Sequence, residues 1–147
     1  MSSTAVTTCT PSITLEGHRY ASLGMLFYSI AACDRRVGEA ELAAFRRMLA
    51  QHWMIEDAGV HGRSVDDVGR MGSAFEEALR GGMSASAAYA RFEVEQLRDP
   101  DRFDGWTRSL ILRTAVAIAK ASAGVNASEV RIIGRLQKLL GRTAPLS

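Results

Sequence analysis

Four oxygen-bearing side chains stand at matching places in two separate segments of the chain. Asp34 and Glu41 lie in Cys33-Asp34-Arg35-Arg36-Val37-Gly38-Glu39-Ala40-Glu41, and Ser122 and Glu129 take the same places in Ala121-Ser122-Ala123-Gly124-Val125-Asn126-Ala127-Ser128-Glu129. Carboxylate and hydroxyl oxygens are what a hard divalent cation prefers, and such ions take about six to eight oxygens. Brought together, Asp34, Glu41, Ser122 and Glu129 would make a sparse site that holds a divalent cation weakly. The same residues have plainer uses. Asp34 falls near the C-terminal end of a helix, where the macrodipole disfavours a carboxylate by about 0.3–1 kcal/mol. Arg35 or Arg36 can offset that charge as readily as a metal ion. Glu41 and Glu129 each follow an N-cap position, Gly38 or Asn126, by three residues. From there a carboxylate can reach back to a free backbone amide. Sequence alone leaves both readings open.

The other chemistry-bearing residues are dispersed. Arg131, Arg135, Lys138 and Arg142 recur at steps of four, three and four and form one basic stripe. It suits phosphates or an acidic partner, or is simply the solvated face opposite Val130, Ile133, Leu136 and Leu140. No aromatic residues interleave with it, so single-stranded nucleic acid has no stacking platform. His18, His52 and His61 share no metal-ligand spacing, and His52 reads as a helix-end cation near Trp53. Cys33 would be a reactive thiol only if exposed in an electropositive setting; on a helix of small residues the expectation is a buried, inert side chain. Cys9 and Cys33 make neither a disulfide framework nor a CxxC metal motif. There is no nucleophile elbow, P-loop, dinucleotide fingerprint or HExxH. The expectation is a protein that is not an enzyme.

These residues must be positioned by helices. The chain has 147 residues and a formal net charge of +2, enough for one core and too little charge to require nucleic acid as a partner. Its basic residues are nearly all Arg, with Lys120 and Lys138 the exceptions. Residues 1–15 read as a flexible Ser/Thr-rich tail, 16–141 as one helical domain and 142–147 as a C-terminal tail. The spacing of apolar residues predicts helices over about 17–34, 39–56, 64–81, 84–97, 103–122 and 126–141. Ser64 with Asp67, Ser84, and Asn126 with Glu129 supply start signals, and Gly81-Gly82 and Gly141 supply stops. Gly24 and Ala32 would let a neighbour approach the first helix closely. The fifth helix, nearly apolar in its second half, is expected at the centre. The longest apolar run, Leu23–Cys33, is roughly half the ~20 residues a bilayer span needs. With no basic, apolar leader at the N-terminus, a cytoplasmic protein that is not an integral membrane protein is expected.

The two segments are repeats: Ile30 aligns with Ile118, Val37 with Val125 and Glu41 with Glu129, without a gap. Each closes one helix and opens another, so the fold should contain two like helix-turn-helix hairpins with a helical insertion between them. Their docking should make the segments around 34–41 and 122–129 neighbours.

These corners resemble the TerB-like (tellurite-resistance) family. There each half carries a helix ending in Ala-Asp-Gly, a variable residue, an aliphatic residue, a cap position and a Glu seven residues after the Asp. Here the spacing, the aliphatic residue and the final Glu stand in both copies, and Leu139-Leu140-Gly141 matches the family's ending. The Asp is kept only at Asp34 and has become Ser122 in the second copy, while the Gly is Arg35 or Ala123. The resemblance covers roughly residues 16–141 and implies an all-α, compact fold of six or seven helices. It also implies a bacterial protein linked to tellurite resistance and stress response, with a divalent cation at the acidic corners, a site that the loss of one Asp weakens. The expected role is a non-enzymatic interaction module that binds protein partners. The alternative is a metal-free protein–protein interaction scaffold using the basic last helix or the insertion. A homo-oligomer fits either.

Overall fold

The computed structural model describes residues 15–33, 37–53, 65–99, 103, 105–121 and 127–141, without the side chains of 15–18, 65–66, 127–129 and 141. Among these residues the chain is helical and no strand occurs. The elements are α1 (Leu15–Ala31), α2 (Glu39–Met48), a π-helical turn (Leu49–Trp53), α3 (Val65–Gly81), α4 (Ala85–Arg98), α5 (Gly105–Ala121) and α6 (Ala127–Gly141). The proposed tails and the start signals Ser64 and Asn126 lie outside or at the margin of the described residues. No described helix is long and apolar enough to cross a membrane.

The central helix is α1, not α5 as the sequence suggests. Every side chain from Leu26 to Ala32 is buried, because α3 and α4 pack most extensively on α1 and α5, α2 and α6 touch it as well. By contrast α5 keeps a wet flank: Arg113 and Lys120 are exposed, and Val116 and Ala117 are half-buried. The longer apolar run, Leu23–Cys33, lies in α1 and marks the centre better than the apolar second half of α5. The seven-residue run of buried positions is the better sign of a helix enclosed on all sides.

Gly24 is what lets α3 lie so close to α1. A Cβ built there would sit 2.8 Å from the Ala74 Cβ and 3.1 Å from the Phe75 backbone nitrogen. Around this crossing the aromatic rings form a continuous line. Phe45 stacks on Phe75 with centroids 4.2 Å apart, Phe27 lies 5.8 Å from Phe45, and Trp53 meets Phe27 edge-on at 6.2 Å. Offset and edge-on pairs of this kind each add about 0.5–1.5 kcal/mol beyond area burial.

The ends of α3 and α4 follow their sequence signals. Gly82 adopts φ +66°, a left-handed conformation that favours glycine. Its N–H donates to Leu79 O, and the Met83 N–H donates to Ala78 O, which completes a Schellman cap. The Tyr28 hydroxyl donates to Met83 O at 2.7 Å and ties the cap to α1. Ser84 then caps α4, its Oγ accepting from the Ala87 N–H at 3.1 Å. Two expectations need correction. The α-helical geometry of α2 ends at Met48, where it widens into the π turn that delivers Trp53 to the core, and residues 54–56 of the expected helix lie outside the described residues. Val130 is 59% exposed rather than on the buried face of α6, which Leu136, Leu139 and Leu140 do form.

Candidate functional site

The repeat corners come first. Glu41 is 5% exposed in the first turn of α2. Its Oε1 accepts a hydrogen bond from the Gly38 N–H at 2.6 Å, so the reaching-back role is the one observed. Gly38 leaves room for it, since a Cβ there would lie 2.8 Å from that oxygen. Asp34 and Ser122 lie outside the described residues, and of Glu129 only its place at the start of α6 is described. Among the described residues no three His, Cys, Asp or Glu side chains are placed to share a metal ion.

The basic stripe on α6 is divided in its roles. The Arg135 guanidinium lies 4.5 Å from the centroid of the Tyr89 ring and 3.6 Å from Glu93 Oε1. It therefore fastens α6 to α4 through a cation–π contact and an ion pair. Arg131 and Lys138 stay exposed, and Arg142 lies outside the described residues. Cys33 is half-buried in the turn after α1, not enclosed in the helix.

Among the described residues, two surface grooves stand open. One, of about 380 Å³, runs between α1 and α4 and is lined by Ala21, Ser22, Met25, Arg91, Val94 and Glu95. It mixes both charge signs, and Glu95 pairs with Arg98 at 3.3 Å. Val94 and Leu97, on the outer side of α4, are 54% and 53% exposed.

The second groove, of about 490 Å³, lies between α5 and the end of α2 with its π turn. Met48, Leu112, Val116 and Ala117 line it with apolar surface, and His52, Arg113 and Lys120 add basic groups. The π turn builds it from beneath. Trp53 is fully buried and its Nε1–H donates to Thr114 Oγ1 at 2.9 Å, while the Thr114 hydroxyl donates to Leu110 O at 2.8 Å. This chain locks the π turn against α5 and leaves the preceding His52 at the groove. A π turn of this kind is rare and recurs at functional sites. Neither Arg113 nor Lys120 is in an ion pair with a described residue.

None of these lining residues belongs to a recognisable sequence motif, and His52 reads there only as a helix-end cation. Yet part of the signal was present. Arg113 and Lys120 stand seven residues apart with Val116 and Ala117 between them, a single face of a helix. The other wall depends on the π turn, which no spacing rule announces.

Comparison with known proteins yields no match to a protein-family model, a curated protein or a solved structure.

Proposed function

We propose that the chain is a non-catalytic, TerB-like helical module of a bacterial stress response, which acts in the cytoplasm by binding another protein. The observation that carries the binding role is the groove beside the π turn, where an apolar floor is bordered by Arg113 and Lys120. Exposed apolar surface rimmed by polar groups is the ordinary form of a protein contact site. Support for the TerB-like part is the repeated corner sequence, together with the contact of α1 with α5 and of α2 with α5. The stress-response setting rests on that resemblance alone.

A photo-crosslinking residue placed at Val116 in cells tests the binding role, with one at exposed Glu77 on α3 as control. A discrete protein adduct from position 116 and none from 77 is the expected result. Equal, diffuse labelling from both positions would reject it.

The resemblance also brings a divalent cation to Asp34, Glu41, Ser122 and Glu129. Glu41 already has one oxygen engaged at Gly38, which leaves it less to offer an ion. Calorimetric titration with Mn²⁺ should give weak heats that vanish in Asp34→Ala. Absence of heat with the native chain would remove the cation from the proposal and leave the protein-binding role standing.

A further inference from the structure

We infer that the groove beside the π turn takes an acidic amphipathic helix of a partner protein, carrying carboxylates two helical turns apart along an apolar stripe. This rests on the reading of the groove as a protein-binding site and names the chemistry of what fills it. Arg113 and Lys120 both project from α5 into the groove lining and are exposed. Seven residues of helix separate them by about 10 Å along the axis. Between them lie Val116 and Ala117, and Met48 faces them from α2.

The spacing of the charges selects the occupant. One small anion cannot satisfy two cations about 10 Å apart across an apolar floor, whereas carboxylates at positions i and i+7 of a docked helix meet both. The C-terminal end of the α5 dipole accounts for Lys120 in the last turn, but not for Arg113 two turns earlier. His52 on the opposite wall adds a further basic group, so no described lining residue carries negative charge. A nucleic-acid backbone would find cations but gain nothing from Met48, Leu112 and Val116. A helix uses both, with its apolar face in the groove and its acids at the rim.

The test uses the full chain and two synthetic helices of equal hydrophobicity, one with Glu at seven-residue spacing and one with Lys in those places. Fluorescence anisotropy should show binding of the Glu peptide that weakens with added salt, and none of the Lys peptide. Arg113→Glu/Lys120→Glu should weaken the Glu peptide by roughly tenfold or more, while Arg113→Lys retains it. Both positions are exposed, and circular dichroism melts check that the variants fold. Equal binding of the two peptides, or Glu-peptide binding untouched by charge reversal, would overturn the inference. So would groove-dependent binding of an RNA oligomer or of anionic vesicles with none of the Glu peptide, or of a second copy of this chain in its place. If the Glu peptide fails while the Val116 crosslinker still captures a discrete protein, the acidic-helix chemistry falls and the module survives. If both fail, both fall.

Discussion

Glu41 shows how a single carboxylate can be read as a ligand and be found in a structural role. Buried at 5% exposure and bonded to the Gly38 N–H at 2.6 Å, it satisfies an amide that would otherwise be orphaned at the start of α2. Glu41→Ala should therefore cost about 1–2 kcal/mol in urea denaturation, and Glu41→Gln, which keeps an acceptor oxygen, distinctly less. Equal losses in the two variants would mean that charge, not the hydrogen bond, is what α2 needs. Trp53 is the complementary case. Trp53→Phe keeps Thr114 satisfied through its own bond to Leu110 O, so the loss should be confined to ring volume and one hydrogen bond, about 1–2 kcal/mol. The capping role of Glu41 was legible because it depends on three residues of local sequence. The bond from Trp53 to Thr114 spans 61 positions and depends on the π turn, so nothing local could announce it.

At the scale of elements, helix ends were written plainly and helix neighbours were not. Ser84 and Gly82 terminate their helices through bonds within a few residues, which is why their types and positions suffice. Which helix occupies the centre depends on closeness of approach, and Gly24 decides that for α1 and α3. Gly24→Ala would gain helix propensity of up to about 1 kcal/mol. It must nevertheless push a Cβ against Ala74 and the backbone of Phe75, neither of which is the loose end of a flexible side chain. We expect a net loss of about 1–3 kcal/mol. Gly69 supplies the control, since it lies exposed within α3 with nothing within 4 Å of an added Cβ. Gly69→Ala should stabilise by about 0.5–1 kcal/mol. Urea midpoints that move in the same direction for both would contradict the close crossing. The same dependence on neighbours explains Val130, which fits the apolar stripe of α6 but is 59% exposed because no described helix covers it.

For the molecule as a whole, two tyrosines link the packing of α1 and α4 to the pH range in which the fold persists. Tyr28 and Tyr89 are 4% and 2% exposed, and burial raises both phenols above the ordinary value of 10.0. At Tyr89 the Arg135 guanidinium works against that rise and Glu93 adds to it. Tyr28 also donates its proton to Met83 O, which a phenolate could not do. Below pH 10 both the folded and the unfolded chain keep these protons, so the contribution to stability is fully present. Above it the unfolded chain releases protons that the fold retains, and stability falls as pH rises, by at most about 1.4 kcal/mol per pH unit for each group. Urea midpoints measured between pH 8 and pH 11 should thus hold level and then decline. The two residues differ at neutral pH. Tyr28→Phe should cost about 1 kcal/mol by leaving Met83 O without its donor. Tyr89→Phe should be neutral or mildly stabilising, because its buried hydroxyl has no hydrogen-bond partner among the described residues, and the ring that Arg135 covers is kept. The double variant should flatten the alkaline decline. A decline as steep as in the native chain would assign it to other groups and separate these two rings from the pH response of the fold.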